Sequence, residues 1–352
     1  MSDNLYRCTP RKVSAFIEDC CYAGLVPFVQ SSPGMGKSSI MRSVASKLNL
    51  KLIDHRLSTS APEDLSGLPR FGEDGRARFS PFADLFPLEG DPLPGGNDAP
   101  THEGWMLFLD EFNSADKRVQ AAAYKLILDR MTGQHKLHER CLITAAGNLS
   151  TDRAITNPLS TAMQSRVVHI EMEINFDEWL QDVALTEGYD SRIIAYLSMY
   201  NSKLMDFNPA HNEKTFCCPR TWEFVNRLCA HKPVIQDSDA GLFAGTITSG
   251  TAADFVQFTK IFQNLITIAD IRRDPGNCPI PSDQGTKYAI ISHMMEKVDK
   301  DNFSDLSTYA DRFDLTFRIL FYRSLMIRHP EMRQHPAFIR AASAMSRYLN
   351  GG

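Results

Sequence analysis

The sequence predicts an α/β fold: a parallel β-sheet between helices in its first half, followed by a helical second half. Three observations carry this. Short apolar runs alternate with helically spaced segments as far as about residue 172, the pattern of a parallel sheet covered on both faces. From about residue 176 the spacing is helical nearly to the end, with breaks near Pro209–Pro219, His231–Val234 and Arg273–Ser282. One apolar run also leads through a glycine-containing turn, Ser31-Ser32-Pro33-Gly34-Met35-Gly36-Lys37-Ser38, straight into a helix. Strand, turn and helix in that order cradle a phosphate.

In chain order, residues 5–22 read as a helix with Val13, Phe16, Ile17 and Cys20 on one face. Leu25–Gln30 reads as a buried strand, and Leu50–Leu57 as a second. From Ser58 to about Glu103 the periodicity weakens and prolines punctuate the chain. Within it, residues 68–79 resemble a hairpin turning at Glu73-Asp74-Gly75, and Leu88–Glu103 reads as a candidate mobile loop. Regular structure resumes with strands at 105–109, 141–146 and 167–172 and a helix at 116–129. Beyond residue 250, Phe255, Phe258, Ile261, Phe262, Leu265 and Ile266 form a helical apolar stripe, and residues 313–325 a denser apolar region. Both read as the packing of a helical subdomain.

Composition narrows the functional classes. With 352 residues, 43% hydrophobic and 23% charged, the chain can fill a sizeable core and about two domains. A net charge of −4 gives no sequence-independent pull toward nucleic acid. No apolar run approaches the ~20 residues of a membrane helix, and the N-terminus has no signal-peptide pattern, so a cytoplasmic location is expected. The eight cysteines include the vicinal pairs Cys20-Cys21 and Cys217-Cys218. They read as reduced, buried thiols, and His211, Cys217 and Cys218 have poor zinc-ligand spacing.

The turn at 31–38 places each residue type for a reason. Gly34 and Gly36 permit positive φ and close backbone approach to oxygen atoms. Inward-pointing N–H groups and the helix start favour an anion. Lys37 is placed to reach the β- and γ-phosphates and the Ser38 hydroxyl to ligate Mg²⁺. Ser32, Pro33, Gly34, Met35, Gly36, Lys37, Ser38 and Ser39 are therefore the candidate nucleotide-binding residues. Ser31 stands where G-x-x-x-x-G-K-[ST] has its first glycine. A second motif, Met106–Glu111, is an apolar strand ending in two carboxylates. At the tip of a buried strand beside a phosphate loop, Asp110 is the candidate Mg²⁺-holding group, and Glu111 the group that orients or deprotonates water. Asn148, at the end of the next strand, could reach the γ-phosphate or that water.

Together these residues resemble the AAA+ ATPases, and more narrowly the MoxR-like branch of their helix-2-insert clade, from about residue 10 to 230. Ser60–Pro69 resembles the segment leading into that branch's insert, and Gly133–Leu137 its second hairpin. The resemblance implies an αβα domain over 1–175 with the insert at about 60–103, a helical lid at 176–272 and a C-terminal helical extension at 273–352. It makes ATP the nucleotide and Asn148 the sensor at the strand tip. Arg166, ending the segment Pro158–Arg166, becomes a finger reaching a neighbouring subunit's nucleotide. Arg220, in Cys218–Phe224, becomes the lid's sensor. It also implies a ring, taken as hexameric from that family, a protein client, and a partner carrying a von Willebrand factor A domain. Arg130 and Arg153 are further basic residues expected near the subunit interface. Two other functions fit the motifs: a nucleic-acid-directed motor, and a nucleotide-switched scaffold with little turnover.

Overall fold

The computed structural model describes residues 6–152 and 156–349; Arg153 lies outside them. The chain forms two compact units, one ending at Ile174 and the other starting at Asn175. The expected class, a parallel sheet between helices followed by a helical half, is what the structure shows.

The sheet of the first unit has six strands: β1 (Arg7–Cys8), β2 (Pro27–Ser31), β3 (Leu50–Arg56), β4 (Gly104–Asp110), β5 (Cys141–Asn148) and β6 (Val168–Met172). Their spatial order is β1-β6-β2-β5-β4-β3, and every pair is parallel. Three helices matter for the site: α1 (Pro10–Tyr22), α2 (Lys37–Lys47) and α3 (Lys117–Asp129). The continuous apolar run of β4 follows from its cover on both faces. Met106 and Phe108 pack with Val13 and Ile17 of α1 and with Met41 and Val44 of α2. Leu107 and Leu109 pack with Val119, Ala123 and Leu126 of α3. These four β4 side chains are fully buried, each worth about 1.5–3 kcal/mol relative to exposure.

Several boundaries differ from the sequence reading. The first helix starts at Pro10, because Arg7–Cys8 pairs with Glu171–Met172 as a sheet edge. Phe16 is exposed, and Cys21 joins Val13, Ile17 and Cys20 on the buried side. Leu25 is exposed too. It follows a turn at Gly24, whose φ is +68°, so the strand begins only at Pro27.

Residues 68–80 form an antiparallel hairpin with Arg70 opposite Arg78. The Leu88–Glu103 segment is a series of pinned turns rather than a loose loop. Its backbone is held by Asp91 Oδ2 accepting from Leu88 N at 2.7 Å, by Thr101 N donating to Pro94 O at 2.6 Å and by Glu103 N donating to Asn49 O at 2.8 Å. Leu88 and Leu93 pack against the core. A second short hairpin pairs Met131–Thr132 with His135–Lys136. Arg130 is committed beside it, donating to His138 O at 3.1 Å and Cys141 O at 2.6 Å.

The second unit contains α4 (Ser191–Met199), α5 (Pro219–Ala230), α6 (Ser249–Thr259), α7 (Gln284–Lys297) and α8 (Leu315–Arg328), among other helices. Its core holds Tyr196 against Trp222 at 5.7 Å and Phe255 at 5.4 Å between ring centroids. Ser191 Oγ donates to Glu296 Oε2 at 2.7 Å, joining α4 to α7. The apolar stripe at 255–266 is not one helix face. α6 buries Phe255 and Phe258, then tightens over Lys260–Asn264 and becomes extended at Leu265. All eight cysteines are buried and unpaired. Cys217 Sγ donates to Ile247 O at 2.9 Å, so it serves packing. Among the described residues no helix is long and apolar enough to cross a membrane.

Candidate functional site

The candidate residues of the first unit gather at the C-terminal ends of adjacent strands, where an open parallel sheet presents its loops. The phosphate loop leaves β2 and enters α2. Gly34 and Gly36 have φ of +78° and +93°, the left-handed conformations that only glycine adopts at little cost. Lys37 and Ser38 are the first two residues of α2, so their backbone N–H groups lack intrahelical partners and the helix start is positive.

β5 lies between β2 and β4, and that order brings three motifs together. Lys37 Nζ donates to Asn148 Oδ1 at 3.2 Å. It also donates to Ser31 O at 3.0 Å, Ser31 Oγ at 3.1 Å and Ser32 O at 3.5 Å. Ser38 Oγ donates to Asp110 Oδ2 at 3.3 Å. The loop's lysine therefore meets the tip of β5, and its hydroxyl meets the tip of β4. The Ser31 departure gains a physical reading: no positive φ occurs there, and its fully buried hydroxyl gives Lys37 an additional acceptor.

Glu111 follows Asp110 in a left-handed conformation, φ +54° and ψ +35°. For a non-glycine residue this costs about 1–2 kcal/mol. It turns the chain so that Glu111 N donates to Asp110 Oδ1 at 2.8 Å. The Glu111 carboxylate accepts from Ser58 Oγ and lies 3.6 Å from Arg56 Nε. Arg56 Nη2 is also 4.0 Å from Asp110 Oδ2. Sequence reasoning missed Arg56 and Ser58. Their place depends on register, for which the sequence carries no local signal: in the parallel pair β3/β4, Arg56 sits opposite Asp110. Next to them His55 is buried, its Nε2 lies 2.9 Å from Ser60 Oγ, and burial holds its pKa below the ordinary value.

Asn113 was missed as well. Its buried amide makes two hydrogen bonds to the backbone of Asn148. Two further predicted residues, Arg166 and Arg220, are described by their own surroundings. Arg166 is exposed, donating Nη1 to Ala162 O at 2.6 Å, with its guanidinium 5.4 Å from the Tyr124 ring centroid. Arg220 is the exposed second residue of α5, behind Pro219, and belongs to the second unit.

The donor set fits a nucleotide with a hard cation. Two left-handed glycines, a lysine and a helix start belong to one turn, and Ser38 with Asp110 offers neighbouring oxygen ligands of the type Mg²⁺ takes. Among the described residues no cluster of three or more His, Cys, Asp or Glu side chains forms a separate metal site.

No protein-family model and no curated protein matches the chain. By structure it is similar to a candidate ATPase from Cytophaga hutchinsonii, at 13% identity over 89% of this chain and 79% of that one, with a TM-score of 0.36. It is similar to a mutant of Thermotoga maritima RuvB at 15% identity, over 96% and 81% of the two chains, with a TM-score of 0.34. It is similar to NtrX from Brucella abortus at 12% identity, over 99% and 68%, with a TM-score of 0.36.

Proposed function

We propose that this chain is an ATP hydrolase of the AAA+ type, similar to the MoxR-like branch, that works in a cytoplasmic ring to remodel or assemble a protein partner. One observation carries the reading: Lys37 and Ser38, adjacent at the start of α2, touch Asn148 and Asp110 at the tips of two further strands. A chance glycine turn would not align three motifs widely separated in sequence.

The roles follow from the chemistry of each group. The 32–39 turn and Lys37 bind the phosphates. Ser38 and Asp110 would hold Mg²⁺, which when bound supplies charge neutralisation at the phosphate oxygens. Glu111 orients and deprotonates the attacking water once its carboxylate leaves Ser58 and Arg56. Asn148 holds the γ-phosphate or that water. Arg166 of a neighbouring subunit stabilises transition-state charge, an effect of roughly 10³–10⁵ in related enzymes, and its exposure leaves it available. Arg220 reports the phosphate state to a lid spanning 176–272, with 273–352 buttressing it. A partner with a von Willebrand factor A domain belongs to the same proposal.

Steady-state ATP hydrolysis tests the reading directly. Glu111→Gln should keep ATP binding and lose turnover; normal turnover removes Glu111 from its role. Mixed with Arg166→Ala, it should recover part of the activity at interfaces that pair intact groups. Absence of recovery in verified mixed rings would refute action across subunits. Glu111→Gln with ATP is also the form to use for client capture.

A nucleic-acid-directed motor is the second reading, and one observation favours it. The 68–80 hairpin exposes Arg70, Arg76 and Arg78 beside Phe71 and Phe79, a basic and aromatic combination suited to single strands. Salt-sensitive DNA binding that stimulates hydrolysis would support it.

A further inference from the structure

We propose that Asn113 is a positioning residue for the proposed hydrolysis: its side chain substitutes for a missing strand and fixes the separation between Glu111 and Asn148. The inference rests on the ATPase reading, but the clamp itself is geometric.

β4 pairs with β5 only as far as Leu109 opposite Ala145. β5 runs on to Asn148, still paired with β2 through Ser31. On the side that β4 has vacated, the backbone of Asn148 needs another partner. Asn113 provides one. Its Oδ1 accepts from Asn148 N at 3.0 Å and its Nδ2 donates to Asn148 O at 2.7 Å. One planar amide thus reproduces both hydrogen bonds of a strand neighbour. The side chain is 5% exposed, so water does not readily replace it.

The connectivity gives the clamp its consequence. Asn113 lies in the Phe112–Ser114 turn that follows Glu111. Asn148 is the residue whose side chain accepts from Lys37. The amide therefore ties the turn carrying the water-activating carboxylate to the strand tip carrying the sensor. The backbone of Asn113 extends the tie, accepting from Asn157 N at 2.6 Å.

A second position supports the assignment. A Cβ on Gly147 would lie 2.4 Å from Asn113 Oδ1 and 2.9 Å from Phe28 Cζ. Gly147 has no positive φ, so this glycine serves space rather than backbone conformation. Asparagine is specifically suited because the site needs one donor and one acceptor in one plane. Aspartate would keep the acceptor but set an oxygen against Asn148 O.

The test compares Asn113→Asp, Asn113→Ala and Gly147→Ala with the wild type. Readouts are the hydrogen-exchange rate of the Asn148 amide, steady-state kcat, and affinities for ATP and ADP. Asn113→Asp should retain a folded spectrum, lower kcat about 10–100-fold and reduce the preference for ATP over ADP, since small misplacements at a reacting centre have effects of that size. Asn113→Ala and Gly147→Ala should each accelerate exchange at Asn148. If Asn113→Asp fails to fold, Gly147→Ala applies the displacement without a buried charge and decides on the same readouts. Wild-type exchange at Asn148 in Asn113→Ala, or unchanged kcat and ATP preference in a folded variant, overturns the proposal. If the wild type binds no nucleotide, the ATPase reading falls, and the Asn148 exchange rates still decide the clamp.

Discussion

Gly36→Ala separates the backbone requirement of the phosphate loop from its spatial one. Gly36 has φ +93° and ψ +19°, yet a Cβ built there meets nothing within 4 Å. The added methyl therefore brings no clash, only the penalty of the left-handed region, about 1–2 kcal/mol. That penalty has two outlets. If the fold holds the loop in its conformation, it appears in stability, as a melting temperature lower by about 2–8 °C for a unit of this size. If the loop relaxes instead, stability is spared and the nucleotide must restore the conformation on binding. Affinity then weakens by about 5–30-fold, at 1.4 kcal/mol per tenfold. Calorimetric melting without nucleotide, combined with titration of fluorescent ATP, measures both outlets on one sample. An unchanged melting temperature together with an unchanged Kd would refute the argument that positive φ at Gly36 is what the loop requires.

Two further predictions concern stability and the thiols. Arg192→Leu should lower stability by roughly 3–5 kcal/mol, because it strands the Asp190 carboxylate that Arg192 Nη2 meets at 2.6 Å; a urea midpoint close to wild type would refute this. The cysteines should resist alkylation at neutral pH until the protein is unfolded, since burial pushes Cys141 and Cys229 up to about 12 from the ordinary 9.0. The sign follows: the folded state keeps protons that the unfolded thiols release above 9.0, so this contribution is complete below that pH and declines as pH rises toward 12. Urea midpoints at pH 8 and about pH 10 measure it, and rapid labelling of the native protein would contradict it.

What the sequence reveals of the site depends on how local each interaction is. The 31–38 turn was legible because glycine, lysine and hydroxyl act through a single strand–turn–helix unit. Asp110 and Glu111 were legible only in combination: an apolar run that ends in carboxylates is by itself as much a solvated turn or helix cap, and the 31–38 turn earlier in the chain gave it a chemical reading. Arg56 and Ser58 were not, because their proximity to Glu111 depends on the register of β3 against β4, which no local pattern encodes. Asn113 escaped for the same reason: its partner is the backbone of Asn148, and a backbone partner leaves no mark in side-chain spacing. The intrachain contacts of Arg130 were not legible either: its left-handed backbone, φ +53°, turns the guanidinium onto three carbonyls of its own chain. Leu25 and Phe16 misled because apolar character marks the core only on average.

The contacts within the site also bear on the selectivity that the proposed function requires. Lys37 is already solvated by protein oxygens, and the four named above are neutral: two carbonyls, a hydroxyl and an amide oxygen. Binding is therefore an exchange of acceptors rather than a gain of new ones. A neutral ligand oxygen would offer Lys37 little that it lacks. A phosphate oxygen carries charge, and hydrogen bonds between charged partners are roughly twice as strong as neutral ones. Its advantage is the difference between the two, reinforced by the helix start of α2. The same exchange operates at Glu111, whose carboxylate is held by Ser58 and Arg56. For Glu111 to act on water, those contacts must give way. Under the proposed function, a site whose side chains already engage one another would favour a ligand able to displace several of them together, as a polyphosphate spanning the tips of β2, β5 and β4 would.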